Sequence, residues 1–72
     1  METKVFNKWL KGKIVMAGYT QTEVAEWLCI SQSALSMRIR GGDFAYYEMV
    51  FLFKKLKATD EEILMVMKGA WT

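Results

Sequence analysis

The sequence predicts an all-α protein, a compact bundle of about five short helices, and two observations carry that prediction. Apolar residues recur at helical spacing along most of the 72 residues, and no segment alternates in the manner of a strand. There is also no proline to interrupt a helix. A chain of this length has room for one hydrophobic core, so residues 1–72 are expected to form a single domain.

The first helix is expected over residues 4–17. Phe6, Leu10, Ile14 and Ala17 fall on one stripe at helical spacing, and this stripe is expected to face the core. Gly18 follows directly and is expected to end the helix, because glycine adopts a positive φ without strain.

The second helix is expected to begin after Thr20. Thr20 and Glu23 have the spacing of a capping box, in which a hydroxyl and a carboxylate bind the unpaired amides of the first turn. Val24, Ala25 and Leu28 then form a narrow apolar face, with Ala25 where a partner helix would come closest.

Residues 29–31 break that pattern, and Ser31 is a suitable N-cap for a third helix. The third helix would keep Leu35 and Ile39 inward and stop at residues 41–42. It is short, follows a tight turn and ends in basic residues, which is typical of a helix that enters the DNA major groove.

Two more helices complete the expected bundle. The fourth is expected to start at about Asp43 or Phe44 and to run to Lys57, with apolar residues at helical spacing. For the fifth, Thr59 and Glu62 form a second capping box. Its apolar face is expected to contain Ile63, Leu64 and Met67.

The residues of the second and third helices resemble a known family. Gln21-Thr22-Glu23-Val24-Ala25, followed by Leu28, Ile30-Ser31-Gln32-Ser33 and Gly41, is similar to the helix-turn-helix of phage Cro and repressor proteins, the XRE-like family. Weaker similarity extends over residues 6–68. The resemblance implies a lambda-repressor-like helix-turn-helix domain that binds pseudo-palindromic operator DNA, a double-stranded partner, as a homodimer.

The resemblance also implies roles for individual residues. A glutamine that opens the first motif helix would contact the DNA backbone, and one that opens the recognition helix would read a base edge. Both glutamines could instead be solvated polar residues near helix starts. The residues expected to contact DNA are Gln21, Gln32, Ser33, Ser36, Met37, Arg38 and Arg40. For the two arginines, phosphate contact is favoured over base reading, since both lie late in the helix.

The sequence departs from the family pattern at two positions. Cys29 stands where many members have glycine, at a turn position that often needs a left-handed backbone, and would cost ~1 kcal/mol there. Arg38 stands where an apolar residue is more common, and Ile39 is expected to take over that packing role.

The net charge and its distribution weakly favour a polyanionic partner. The net charge is +2, and it is unevenly divided: residues 1–42 have six basic and three acidic side chains, and residues 43–72 have four and five. Phosphate contacts are one role for the lysines of the first helix, but a solvated face is expected for most of them: Lys4, Lys8, Lys11 and Lys13.

The chain is unusually apolar, with 53% hydrophobic residues, and this predicts surface that a partner covers. The residues expected at a homodimer interface are Val50, Phe51, Val66 and Trp71. The tyrosines of the fourth helix, Tyr46 and Tyr47, are expected to cover the edges of the core. Trp27 is expected to point outward from the second helix, with its role left open.

Several classes of function are disfavoured. The chain has no histidine and one cysteine, so an intramolecular disulfide and a histidine-containing zinc site are impossible. Cys29 is expected to be a buried apolar residue in a reducing compartment, most simply a bacterial cytoplasm. No cofactor is expected. Every apolar run is too short to span a membrane. No nucleophile–base pair or paired carboxylates indicate an enzyme.

Two functions therefore remain. The leading hypothesis is a sequence-specific transcriptional regulator, a Cro-like repressor from a phage or mobile element. The alternative is a protein-binding module on the same fold, such as an antirepressor or an inhibitor of a host enzyme. Abundant aromatic residues and the modest charge support the alternative.

Overall fold

Five α-helices and no strand make up the part of the chain that the computed structural model describes, the backbone of residues 3–69 and the side chains of residues 5–69. The helices are α1 (Thr3–Met16), α2 (Gln21–Trp27), α3 (Gln32–Gly41), α4 (Tyr46–Lys55) and α5 (Asp60–Met67). The all-α prediction is confirmed.

Local sequence signals account for most helix ends. Thr20 and Thr59 each accept a hydrogen bond from the backbone N–H three residues later, and the glutamate at that position binds the threonine's own N–H. Ser31 Oγ accepts from the Ala34 N–H at 3.0 Å. Gly18 has a φ of 81°, which ends the first helical segment as expected.

The core is built around aromatic rings from α1. Phe6 is fully buried and packs edge-on against Phe44 and Phe53, with ring centroids 5.3 Å and 5.5 Å away. Trp9 adds a contact with Phe53 at 5.0 Å. Edge-to-face pairs of this kind contribute about 0.5–1.5 kcal/mol each beyond the area they bury. Helix α1 therefore packs against Phe44 and α4 through its aromatic rings, and it also contacts α3 and α5.

One carboxylate of α5, that of Glu62, binds two side chains of α1. Glu62 Oε2 accepts from the Trp9 indole at 2.9 Å, and its Oε1 accepts from Lys13 Nζ at 3.0 Å. Partial burial raises the pKa of Glu62, but the hydrogen bonds from Trp9, Lys13 and the Thr59 amide outweigh it and lower the pKa to about 2. Lys13 is therefore an exception among the lysines of α1, most of which were expected to be solvated.

The structure corrects the predicted start of α4. The helix begins at Tyr46, not at Asp43 or Phe44, and it ends at Lys55. Phe44 is buried in the preceding connection, so it is a core residue outside any helix. Ala45 is the N-cap in an extended conformation, and its N–H donates to Glu48 Oε1 at 2.8 Å.

Several predicted burial states are also wrong. Val66 is fully buried, whereas Leu64 and Met67 are 53% and 42% exposed, because α5 turns Val66 and not those residues toward the core. Tyr46 and Tyr47 do not cover the core but are largely exposed. Two further residues expected to be buried are exposed: Ala17 and Cys29.

Candidate nucleic-acid interface

Helices α2 and α3 meet at Ala25 across a tight turn. Ala25 is 2% exposed, and its carbonyl accepts a hydrogen bond from the Ile30 N–H at 3.0 Å. Ile30 packs against the core at the corner between the helices, as expected. A larger side chain at Ala25 would have to displace its buried neighbours, because protein interiors are close-packed.

The turn passes through a left-handed residue. Cys29 has a φ of 57°, which is costly for a residue with a Cβ. The sequence prediction of a strained turn at this position is confirmed. Its side chain is exposed, however, because the left-handed backbone turns it away from the core.

Helix α3 presents a continuous outward face. Gln32 and Ser33 are exposed at its first turn, Met37 is 66% exposed in the middle, and Arg40 is exposed near its end. Ser36 is half-buried beside them, and Leu35 lies on the opposite side, fully buried. The outward residues are polar, apolar and basic in turn, a mixture suited to hydrogen bonds and methyl contacts along a groove.

Gln21, the other predicted contact residue, opens α2 rather than α3. It is the first residue of that helix and is half-buried. It directly follows the Thr20 cap, at the end of α2 where Thr20 Oγ1 accepts from the Glu23 N–H and the Glu23 carboxylate accepts from the Thr20 N–H.

Arg38 differs from the other predicted contact residues. Its Nη1 donates to Glu48 Oε2 at 2.8 Å, and its guanidinium carbon lies 5.6 Å from the centre of the Phe44 ring. These contacts hold α3 against the start of α4. Arg38 therefore has a packing role that the sequence did not predict, and its contact with DNA stays a prediction. Ile39 packs on the core as expected.

Glu48 is the partner that makes this packing possible. Partial burial raises the pKa of Glu48, but hydrogen bonds from the Ala45 amide and Arg38, together with the charge of Arg38, outweigh it and lower the pKa. The carboxylate thus stays ionised and serves both helices: it caps α4 and anchors α3.

Sequence reasoning missed Asn7, which fixes the far end of α3. Its Nδ2 donates to the carbonyl oxygens of Arg38 and Gly42, at 3.0 Å and 3.2 Å, and the residue is 5% exposed. The signal was present, since Asn7 lies three residues before Leu10 and seven before Ile14, on the buried side of α1.

Trp27 is not directed outward as expected. Its ring contacts Tyr19 edge-on, with centroids 4.8 Å apart, and the Lys55 ammonium lies 5.1 Å from its centre. Trp27 therefore covers the edge of the core between the α1–α2 connection and α4.

The residues predicted at a dimer interface differ in their exposure. Val50 is half-buried and Phe51 is 37% exposed, so both remain available at the surface of α4. Val66 is buried within the chain, so it has no surface that could contact a second copy. Trp71 lies outside the described residues.

Comparison with protein-family models, with curated proteins and with solved structures finds no match for this chain. Within residues 3–69, no helix has the length and apolar character needed to cross a membrane. The same part of the chain contains no cluster of three or more cysteine, aspartate or glutamate side chains arranged to hold a metal ion.

Proposed function

We propose that the protein is a sequence-specific DNA-binding regulator of transcription, a Cro-like repressor of phage or mobile-element type that acts in the bacterial cytoplasm. One observation carries this proposal. A short helix, α3, is fixed by contacts with α1, α2 and α4, yet its outward face is free along its whole length. Rigid support and a free polar face are what reading a DNA groove requires.

Each residue of that face has a chemical role in the proposal. Gln32, at the first turn, pairs its amide with an adenine edge, and Met37 contacts a thymine methyl group. Ser33 and Ser36 bond to base edges or phosphates, and Arg40 binds a phosphate. Gln21, at the start of α2, contacts the backbone of the same site.

The proposal includes a homodimer, formed through the outer faces of α4 and α5. These faces expose several large apolar side chains, which a second copy of the chain would cover. They are Tyr46, Tyr47, Phe51, Leu64, Met65 and Met67. The dimer would set two α3 helices ~34 Å apart, one helical turn of DNA, and so match a pseudo-palindromic operator.

The same apolar surface favours the second candidate, a protein-binding module such as an antirepressor or an enzyme inhibitor. In that case the surface of α4 and α5 would receive a different protein. The two candidates differ in their expected behaviour with DNA, since the second predicts no preference for any sequence.

The test is a selection of bound duplexes from a random DNA pool, followed by titration of the selected duplex and a scrambled control at two salt concentrations. The proposal predicts an inverted repeat that binds at least ~10³-fold more tightly than the control. Weak, salt-sensitive binding that is indifferent to sequence would contradict the proposal and favour the protein-binding module.

A further inference from the structure

A groove between α1 and the end of α3 collects three positive charges. Lys8 and Lys11 line it from α1, and Ile39, Arg40 and Gly41 line it from α3. The two lysines and Arg40 are exposed, so their charged ends are free to move toward a ligand. We call this feature the basic groove.

The two sides of the basic groove are fixed relative to each other. Asn7, which also lines it, binds the carbonyl oxygens of Arg38 and Gly42 and so joins α1 to the last turn of α3. Gly42 permits the tight end of α3 at which this contact is made, because a Cβ there would lie 2.9 Å from the Cα of Arg38. The groove is therefore a preformed feature of the fold.

The charges of the basic groove are not neutralised within residues 5–69. The ion pairs among these side chains join Lys13 to Glu62 and Arg38 to Glu48, and neither involves a cation of the groove. A basic residue in the last turn of α3 complements the helix dipole, which accounts for Arg40. It does not account for Lys8 and Lys11, which lie in the middle of α1.

The basic groove continues the outward face of α3. Arg40 lies three residues after Met37 and seven after Ser33, so the three side chains share one side of the helix. If α3 lies in a major groove, one sugar-phosphate strand must pass close to its last turn. A groove with three cations at that point is suited to the phosphates of that strand.

We infer that the basic groove is a phosphate-backbone site, in which Lys8, Lys11 and Arg40 bind successive phosphates of one DNA strand next to the bases that α3 reads. The inference rests on the proposed DNA-binding function, but it names residues outside α3 and assigns them no part in sequence reading. Their contacts would strengthen binding to every sequence alike.

The test compares the salt dependence of DNA binding in the parent protein and the double variant Lys8→Gln, Lys11→Gln. Losing two phosphate contacts makes the slope of log K against log salt shallower by about 1.8 per bound protomer. Between about 50 and 200 mM salt, the variant should then lose about tenfold less affinity than the parent for each bound protomer, or on the order of a hundredfold less as a dimer on an inverted repeat. The difference per bound protomer should be the same on selected and random duplexes.

The matched control is the double variant Lys57→Gln, Lys68→Gln, which removes the same charge from two exposed lysines just beyond the ends of α4 and α5. Its slope should stay near that of the parent. An equal change in both double variants would show a general effect of charge and would overturn the basic groove as a site.

The remaining outcomes separate the inference from the proposed function. A parent that reads sequence, with an unchanged slope in the Lys8, Lys11 variant, overturns the basic groove and leaves the function standing. A parent that binds all duplexes equally, with a shallower slope in that variant alone, supports the groove and overturns sequence reading. A parent that binds no duplex overturns both.

Discussion

At the scale of single residues, Asn7 holds the most consequential position that the sequence analysis missed. It is a buried amide that satisfies two carbonyl groups at the end of α3, and it lies in a stripe of otherwise apolar residues. Because neither carbonyl has to be left without a donor, α3 can end against α1 instead of in solvent. Asn7 therefore links the stability of the fold to the position of the outward face of α3.

Replacing Asn7 with alanine should lower the free energy of unfolding by about 1–3 kcal/mol, because the Gly42 carbonyl loses its donor and the Arg38 carbonyl keeps only the Gly42 N–H. Urea denaturation measures this change. The control is Lys8→Ala, at the exposed neighbouring position, which should stay within about 0.5 kcal/mol of the parent. Equal stability of the two variants would mean that the Asn7 hydrogen bonds contribute nothing.

The lowered pKa of Glu62 predicts that the free energy of unfolding depends on pH in the acid range. Its pKa falls from an ordinary value of 4.5 to about 2 in the folded protein, and its side chain is 16% exposed. A lowered pKa means that the folded state gains stability when the carboxylate is ionised. This stability is fully present above pH 4.5 and is lost as the pH falls toward 2.

The corresponding variant is Glu62→Gln, which cannot ionise. Above about pH 5 it should be less stable than the parent by on the order of 1–3 kcal/mol, and the difference should shrink as the pH falls through 4.5 toward 2. Chemical denaturation across this range measures it. A difference that does not change with pH would show that the charge of Glu62 has no role in folding.

At the scale of helices and turns, the α2–α3 turn stores strain at Cys29. A residue with a Cβ in the left-handed region costs about 1–2 kcal/mol, and glycine escapes that cost but loses part of the gain to chain entropy. Cys29→Gly should therefore raise the free energy of unfolding by up to about 1 kcal/mol.

The control for this prediction is Cys29→Ala, which removes the thiol but keeps the Cβ and hence the strain. It should leave stability close to that of the parent, since the side chain is exposed. Denaturation midpoints of the two variants and the parent measure these differences in stability. An alanine variant more stable than the glycine variant would contradict a strained turn.

Helix ends could be predicted where a single residue and its near neighbours determine them. The caps at Thr20, Ser31 and Thr59 each join a side chain to the backbone N–H three residues later, and the sequence predicted each of them. The start of α4 was missed because its N-cap is Ala45, which has no side-chain acceptor. Phe44 has the spacing of a helical core residue, although it packs from an extended connection.

The candidate site, like the helix ends, was predictable where residues close in sequence determine it. Helical spacing within α3 correctly separated the exposed Gln32 and Met37 from the buried Leu35. The pairing of Arg38 with Glu48 joins two helices, and that of Lys13 with Glu62 spans 49 residues. Local periodicity carries no information about such contacts, because they depend on how the helices pack.

At the scale of the whole molecule, the proposed dimer makes Phe51 a sensitive position. Phe51→Glu places a charge on the outer face of α4 and should weaken self-association at least about tenfold, because the charge would be buried in the interface. Sedimentation at several protein concentrations measures this. Val15→Glu, on an exposed part of α1, is the control and should leave association unchanged.

The parent could self-associate while both variants sediment with the same mass as the parent at every concentration. In that case the dimer interface lies elsewhere than on α4. A parent that stays monomeric throughout would contradict the homodimer. In that case the exposed apolar residues of α4 and α5 would favour a different protein partner.

The reading of bases by the outward face of α3 is the central claim, and Gln32 tests it most directly. The measurement is the ratio of dissociation constants for the selected duplex and for versions changed at single base pairs, in the parent and in Gln32→Ala. The variant should lose about 1–3 kcal/mol of binding free energy on the selected duplex. It should also lose its preference at one base pair and keep its preferences at the others. An equal loss on every duplex, with all preferences intact, would contradict a reading role for α3 at this position.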